Sequence, residues 1–376
     1  MRNEHQIKRT NQAWQPISGC SAVSSGCDDC AMGLRETPAL KRLLRTGFVN
    51  MTDAGPAWSG SVKLNKGTLL QPMRWRRPRS ILVCPHSDLF NESVPDAWRD
   101  LVFAAMTLAP QHTFELSTRR SEKMRAWVSD PATPGRIARS ILDMVIASII
   151  SPSRMMADDW PVTSVGPNPE EPDDVTLMAW PLPNLRLGVA VEDQQRANEH
   201  IPNLLATPAA VRFVSAVPLL GPIDLTDIDL LPMLLRGRLR SENDPKCTFD
   251  ALTGKTNVHP VHGVDDPFDR GVDWVICGGE SGPKARPLHP DWARGLRDQC
   301  AAVGIPFLFK RWGEWVPEDQ SPEDAILPGW ARCPWAERDR DGGWSHGDQT
   351  SVYRLGKRAA GRLLDGILHN GTPGAQ

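Results

Sequence analysis

Cys20, Cys27 and Cys30 form a Cys-x6-Cys-x2-Cys run inside Ile17-Ser-Gly-Cys-Ser-Ala-Val-Ser-Ser-Gly-Cys-Asp-Asp-Cys30. Three thiolates on one short loop can hold three irons of a four-iron cluster and leave the fourth iron open to a ligand. The same three, joined by a distant His or Asp, could instead close a tetrahedral zinc site. Plain burial as small apolar side chains is the third reading, disfavoured by the tight spacing. Spacing alone does not separate zinc from iron–sulfur. The Cys27/Cys30 pair can clamp a metal in either case, and the Ser/Gly-rich bend lets Cys20 fold back towards it. No fourth cysteine is near in sequence; the next, Cys84, ends a different apolar run.

Other reactive or binding side chains recur at the ends of short β-branched runs. They are Ser87 and Asp88, Thr118 with Arg119 and Arg120, Glu192 and Asp193, Gly278-Gly279-Glu280-Ser281, and Lys310. In a parallel βα barrel the loops after the strands open on one face, so these residues would share it. Each pair alone is as readily an ordinary solvated strand end; their recurrence favours a polar binding face. Val217-Pro218 is the apolar exception. Glycines after a strand let a ligand approach the backbone, although glycine pairs also make plain tight turns. Cys247, His259 and His262 fit no strong metal spacing, and Cys84, Cys277 and Cys300 read as core. Arg74-Trp75-Arg76-Arg77-Pro-Arg79 and Lys310-Arg311-Trp312-Gly-Glu-Trp315 interleave cations with stacking surfaces, as nucleic-acid grooves do. Arg beside Trp is also an ordinary packing arrangement, and that reading is preferred.

The elements that must position these residues follow from periodicity. Short runs suited to strands are Ser80 to Cys84, Thr113 to Arg120, Leu185 to Asp193, Val211 to Pro218, Val272 to Glu280 and Ile305 to Lys310. Helical patterns lie between them, at Pro95 to Met106, Gln194 to Leu205 and Asp291 to Ala302. Alternation of this kind predicts parallel βα units, and the absence of a dinucleotide fingerprint after the first strand favours a partial or full (β/α) barrel. A single barrel-like domain over residues 1–376 is expected. Insertions are expected at about 121–180, with a helix from Arg136 to Ile150, and at about 226–270. A Trp-rich extension over 316–376 is predicted to end in a short basic helix, Gly356 to Gly366.

Composition sets outer bounds. A net charge of −2 leaves no global electrostatic footprint for nucleic acid, though local basic patches remain open. The first ten residues have no apolar core, so no secretory signal is expected. The apolar stretch around Ile141 to Ile150 is broken by Asp143 and Ser148 and is too short to span a bilayer. A cytoplasmic protein without membrane contact is expected. Thiols stay reduced there, so the eight cysteines favour metal binding or burial over disulfides.

The run Trp14-Gln-Pro-Ile-Ser-Gly-Cys20 with Gly-Cys27-Asp-Asp-Cys30 resembles the opening of a phage and mobile-element protein family known for its three-cysteine motif. That family is of unknown function and is distantly similar to radical S-adenosylmethionine (SAM) enzymes. Further collinear matches include Leu70-Gln-Pro-Met-Arg-Trp75, Ser87-Asp-Leu-Phe90, Gly188-Val-Ala-Val-Glu-Asp-Gln194, Pro218-Leu-Leu-Gly-Pro222, Gly278-Gly-Glu-Ser-Gly282 and Phe309-Lys-Arg-Trp-Gly-Glu-Trp315. The resemblance implies a radical-SAM-like partial barrel with a [4Fe–4S] cluster on Cys20, Cys27 and Cys30. SAM would sit on the open iron, with Gly278, Gly279, Glu280 and Ser281 as its contacts, and its reductive cleavage would start radical chemistry. Glu192, Asp193 and Lys310 become candidate catalytic residues, and Ser87, Asp88, Arg119 and Arg120 candidate substrate contacts. The substrate class suggested by a mobile-element context is a nucleic acid or nucleotide, with room for a protein partner. The rival is a zinc-stabilised, non-catalytic binding protein of the same origin. Three positions depart from radical SAM enzymes. The first spacing is x6 rather than x3, Ala31-Met32 stand where an aromatic packs near SAM, and Val217 stands where an acid is expected.

Overall fold

The computed structural model describes residues 12–27, 30, 38–53, 55–151, 153, 158–164, 175–230, 247–256, 268–282, 284–320, 332–334 and 351–374. Its frame is a sheet of seven parallel strands: β1 (Gln12–Trp14), β2 (Ser80–Val83), β3 (Thr113–Thr118), β4 (Leu185–Ala190), β5 (Val211–Ala216), β6 (Trp274–Cys277) and β7 (Phe307–Phe309). Neighbours in the sheet are neighbours in chain order, from β1 at one edge to β7 at the other. A doubly wound sheet reverses its strand order at a switch point. This one never does, and it curls into a half-barrel.

Alternation along each strand explains the two faces. Phe114, Leu116, Leu187, Val189, Val214, Val275 and Phe309 share the main apolar core with the helices outside the sheet. Phe213, Trp274, Ile276 and Leu308 form a separate cluster on the concave side. Each such side chain stabilises the fold by about 1.5–3 kcal/mol when fully buried. Gly188 makes room for this inner cluster, because a Cβ there would lie 2.6 Å from the Phe213 ring. Arg186 stacks on Trp274 at 5.4 Å and donates to the Pro373 carbonyl at 3.2 Å. The N-terminal half of the hollow is thus filled, and the half towards the strand C-termini stays open.

The outer helices begin where the sequence supplies start signals. Helix α1 (Asp96–Thr107) follows Pro95 and carries an acid in its first turn. Helices α2 (Ser121–Val128) and α3 (Thr133–Ile146) follow β3 in succession, so the segment expected as an insertion at 121–180 opens with two helices of the frame. Helix α4 (Gln194–Leu205) is capped by Asp193, whose carboxylate accepts from the Arg196 N–H at 2.9 Å. Helix α5 (Pro290–Val303) starts on proline, with His289 Nδ1 accepting from the Asp291 N–H. In the region 226–270 the described part holds an antiparallel pair, Ile228–Asp229 with Thr248–Phe249.

All six strands and three inter-strand helices read from periodicity are present. Strand β1 adds a seventh; its three residues and single buried side chain, Trp14, are too short a pattern to read. The expected helix at Gly356 to Gly366 is corrected: the segment is a series of turns with no helix. Gly361 takes a left-handed φ of +71° that a helix does not allow, and the Leu363 carbonyl accepts instead from the Trp312 indole at 2.8 Å. No helix among the described residues is long and apolar enough to cross a membrane.

Candidate functional site

The cysteine loop lies across the open, C-terminal mouth of the half-barrel. Cys20, Cys27 and Cys30 line a cleft of about 480 Å³ together with the ends of β2, β3, β4, β5 and β7. A second cleft of similar volume lies at the opposite end of the sheet, lined by His112, Trp160 and Arg186. Chemistry in a parallel barrel gathers where the βα loops converge. We therefore place the site at the cysteines.

The strand-end residues singled out in the sequence prove to be the loop's anchors. Arg120 donates from Nη2 to the Ser21 carbonyl at 3.0 Å and to the Ser21 hydroxyl at 2.6 Å. The same guanidinium pairs with Asp88 at 3.0 Å and Glu92 at 2.9 Å. Asp88 also accepts from the Thr118 hydroxyl and from the Arg119 and Phe90 N–H groups. Arg119 donates to the Ser24 hydroxyl at 3.1 Å and pairs with Glu192, which accepts from the Gly26 N–H at 3.1 Å. The approach is close: a Cβ at Gly26 would lie 2.6 Å from the Arg119 guanidinium, which would have to shift. Ser87 donates to the Ile17 carbonyl at 2.7 Å and accepts from Gln15 at 2.6 Å. Burial pushes the Glu192 carboxyl up, but Arg119, Ser24 and Gly26 outweigh it and hold the group below the usual carboxylate value.

The remaining candidates divide. Lys310 and Ser281 line the cleft, as does Gly279, whereas Asp193 and Gly278 do not. Glu280 reaches the lining with its carboxylate committed to Arg286, whose N–H, Nε and Nη2 donate to it at 2.8–2.9 Å. The Gly278 and Glu280 carbonyls accept from the Leu219 and Glu314 N–H groups, while the Gly279 carbonyl has no partner among the described residues. Val217 lines the cleft and packs on the inner apolar cluster, giving the mouth an apolar floor. Cys84, Cys277 and Cys300 are buried, as expected of core residues. His259, His262, Ala31 and Met32 lie outside the described residues.

Burial, reinforced by the Asp88 charge, pushes the Cys20 thiol up to about 12. Cys30 is solvent-exposed yet lies at a crowded rim whose desolvation raises its thiol too, opposed by the Trp58 indole. That indole N–H is buried and has no hydrogen bond of good geometry. Cys20 feels the charges of Cys30 and Cys27, so the three are electrostatic neighbours. Among the described residues no three His, Cys, Asp or Glu side chains are gathered closely enough to close on one ion. The donor set is soft and sulfur-rich, which suits zinc or an iron–sulfur cluster and not magnesium or calcium. Two further donors line the cleft: the exposed His86 and the buried Cys84. Sequence alone marks neither as a ligand, because His86 stands alone in sequence and Cys84 ends an apolar strand.

The half-barrel with a three-thiol mouth defines an α/β protein of the singly wound type. Residues 4–373 match the family described as Protein of unknown function (DUF5131), and the chain belongs to that family. Comparison with curated proteins found no match, and comparison with solved structures found none.

Proposed function

We propose that this protein is a cytoplasmic iron–sulfur enzyme of radical-SAM type, of phage or mobile-element origin, acting on a nucleic acid or nucleotide. The observation that supports it best is the position of Cys20, Cys27 and Cys30 over an open cleft at the C-terminal mouth of a singly wound half-barrel. A structural zinc site needs no adjoining cleft; a cluster with an open iron does. Bound to the three thiolates, a reduced four-iron cluster would supply one-electron cleavage of SAM. The chain's own groups do the rest. Arg120, Arg119 and Glu192 fix the loop at Ser21, Ser24 and Gly26, and so hold the thiols at the mouth. The Gly279 carbonyl and Ser281 offer polar contacts for the SAM amino-acid part. Val217 and the inner cluster keep the floor dry, which shields a reactive species from water.

The rival reading, a zinc-stabilised binding protein, draws on His86 and Cys84 as extra donors beside the three thiols. Metal analysis of anaerobically purified protein decides between them. The enzyme reading expects about four irons with matching sulfide, lost in Cys27→Ala, and 5′-deoxyadenosine on adding SAM and dithionite. A colourless protein with one zinc that disappears in His86→Ala or Cys84→Ser would overturn it. An intact reduced cluster that never cleaves SAM removes the activity and leaves the metal centre standing.

A further inference from the structure

Charge is unevenly balanced around the cleft. The lining carboxylates Asp88 and Glu280 are neutralised by Arg120 and Arg286. On the β7 side the lining carries Lys310, Arg311 and Lys357. Arg311 is half-buried; its guanidinium has no hydrogen bond or ion pair among the described residues, and burial alone lowers its pKa. Arg362, only 6% exposed, lies close enough to feel the Arg311 charge. Its Nη2 donates to Asn370 Oδ1 and, at 3.4 Å, to the Phe309 carbonyl, but its Nε and Nη1 are buried without a partner. Burial, and then the Arg311 charge, lower the pKa of Arg362 as well.

Two desolvated guanidiniums that repel each other, with no carboxylate shared between them among the described residues, are an unfavourable arrangement in isolation. An anion against Arg311 reverses both terms: it replaces lost hydration and offsets the repulsion. The guanidinium fork matches phosphate oxygens bidentately, and Lys357 adds a mobile point charge at the rim. A carboxylate brings one negative charge to this wall. A phosphate monoester brings about −1.5 to −2, the better match to two guanidiniums and an ammonium.

We propose that Arg311 and Lys357, backed by Arg362, form a phosphate subsite that seats a phosphorylated substrate across the cleft from the three cysteines. This deepens the reading given under Proposed function by naming a phosphate-bearing substrate. Titration calorimetry on the full chain, as purified and again after iron removal, tests it with inorganic phosphate, adenosine monophosphate, a short single-stranded oligonucleotide and acetate at matched ionic strength. Phosphate and the monophosphate should bind and acetate should not, with binding unaffected by iron. Arg311→Gln should weaken binding about tenfold or more, the scale of one lost charge-assisted hydrogen bond. Lys357→Gln, at an exposed position, should weaken it less while leaving the melting temperature unchanged. A preference for the oligonucleotide over the monophosphate would assign the subsite to a nucleic-acid backbone, which is the same phosphate chemistry. Affinity unchanged in both variants, equal competition by acetate, or no phosphate binding by wild type would overturn the subsite. Because the readout needs no cluster, it can survive loss of the radical-SAM reading, and the reverse also holds.

Discussion

At the scale of single residues, Glu192 shows how the site is held. It is fully buried, paired with Arg119 and bonded to the Gly26 N–H. Removing one partner of a buried pair leaves the other uncompensated, so Arg119→Met should destabilise the fold by about 3–5 kcal/mol. Glu192→Gln should do less harm while freeing the loop, seen as faster alkylation of Cys20, Cys27 and Cys30. The pH dependence has a definite sign. A carboxyl held below its usual value stabilises the fold above that value and loses this contribution as pH falls through the lowered one. The stability gap between wild type and Glu192→Gln should therefore be full at pH 7 and shrink below about pH 4; a gap constant with pH would contradict the pairing. Residue types at strand ends were legible in the sequence, but their partners were not. Arg119 meets Ser24 across 95 positions and Glu192 meets Gly26 across 166, and no local pattern encodes such pairings.

Elements were legible in proportion to their length and their caps. Helices α1, α4 and α5 carry proline or a capping side chain at their starts and an apolar stripe, and they fall within a residue or two of the boundaries read from sequence. Strand β1 carried no such signal, and the segment after Gly356 carried a helical pattern that the left-handed Gly361 overrides. One contact between elements makes a testable cost. Asp100 of α1 is buried against Arg136 of α3 at 3.5 Å, and its Oδ1 has no hydrogen-bond partner. Burial, only partly opposed by Arg136, raises its carboxyl to about 6. A raised carboxyl has its full stability contribution below the unfolded value of 3.8 and loses it as pH rises through about 6. Asp100→Asn should therefore raise stability by roughly 1–2 kcal/mol at pH 7 to 8, allowing for partial solvent screening. The advantage should vanish below about pH 4, in thermal unfolding followed across that range.

At the scale of the whole molecule, the C-terminal tail completes what the open sheet leaves bare. Its residues run antiparallel beside β7: the Phe309 N–H donates to the His369 carbonyl, and the Gly371 N–H to the Phe307 carbonyl. The Trp274 indole donates to the Gly371 carbonyl at 2.7 Å. Covering an edge strand removes a template for pairing with another chain. Only glycine fits at 371, because a Cβ would lie 2.6 Å from the Phe307 backbone. Gly371→Val should lower the melting temperature by several degrees and bring forward the onset of aggregation in light scattering. Unchanged scattering would show that the strap is dispensable. The barrel itself was readable, since alternation of apolar runs sets strand order; the strap was not, since its bonds are backbone to backbone.

The long-range anchoring of the cysteine loop has a consequence in time. The ribosome makes the loop before its anchors, and Glu192 emerges 166 residues after Gly26. At about 5–20 residues per second, that is on the order of ten to thirty seconds in which the thiols are tethered to an unfinished sheet. A metal centre delivered in that interval would meet a loop without its clamps. Under the proposed function, the chain order makes loading a late event, following synthesis of the fourth strand.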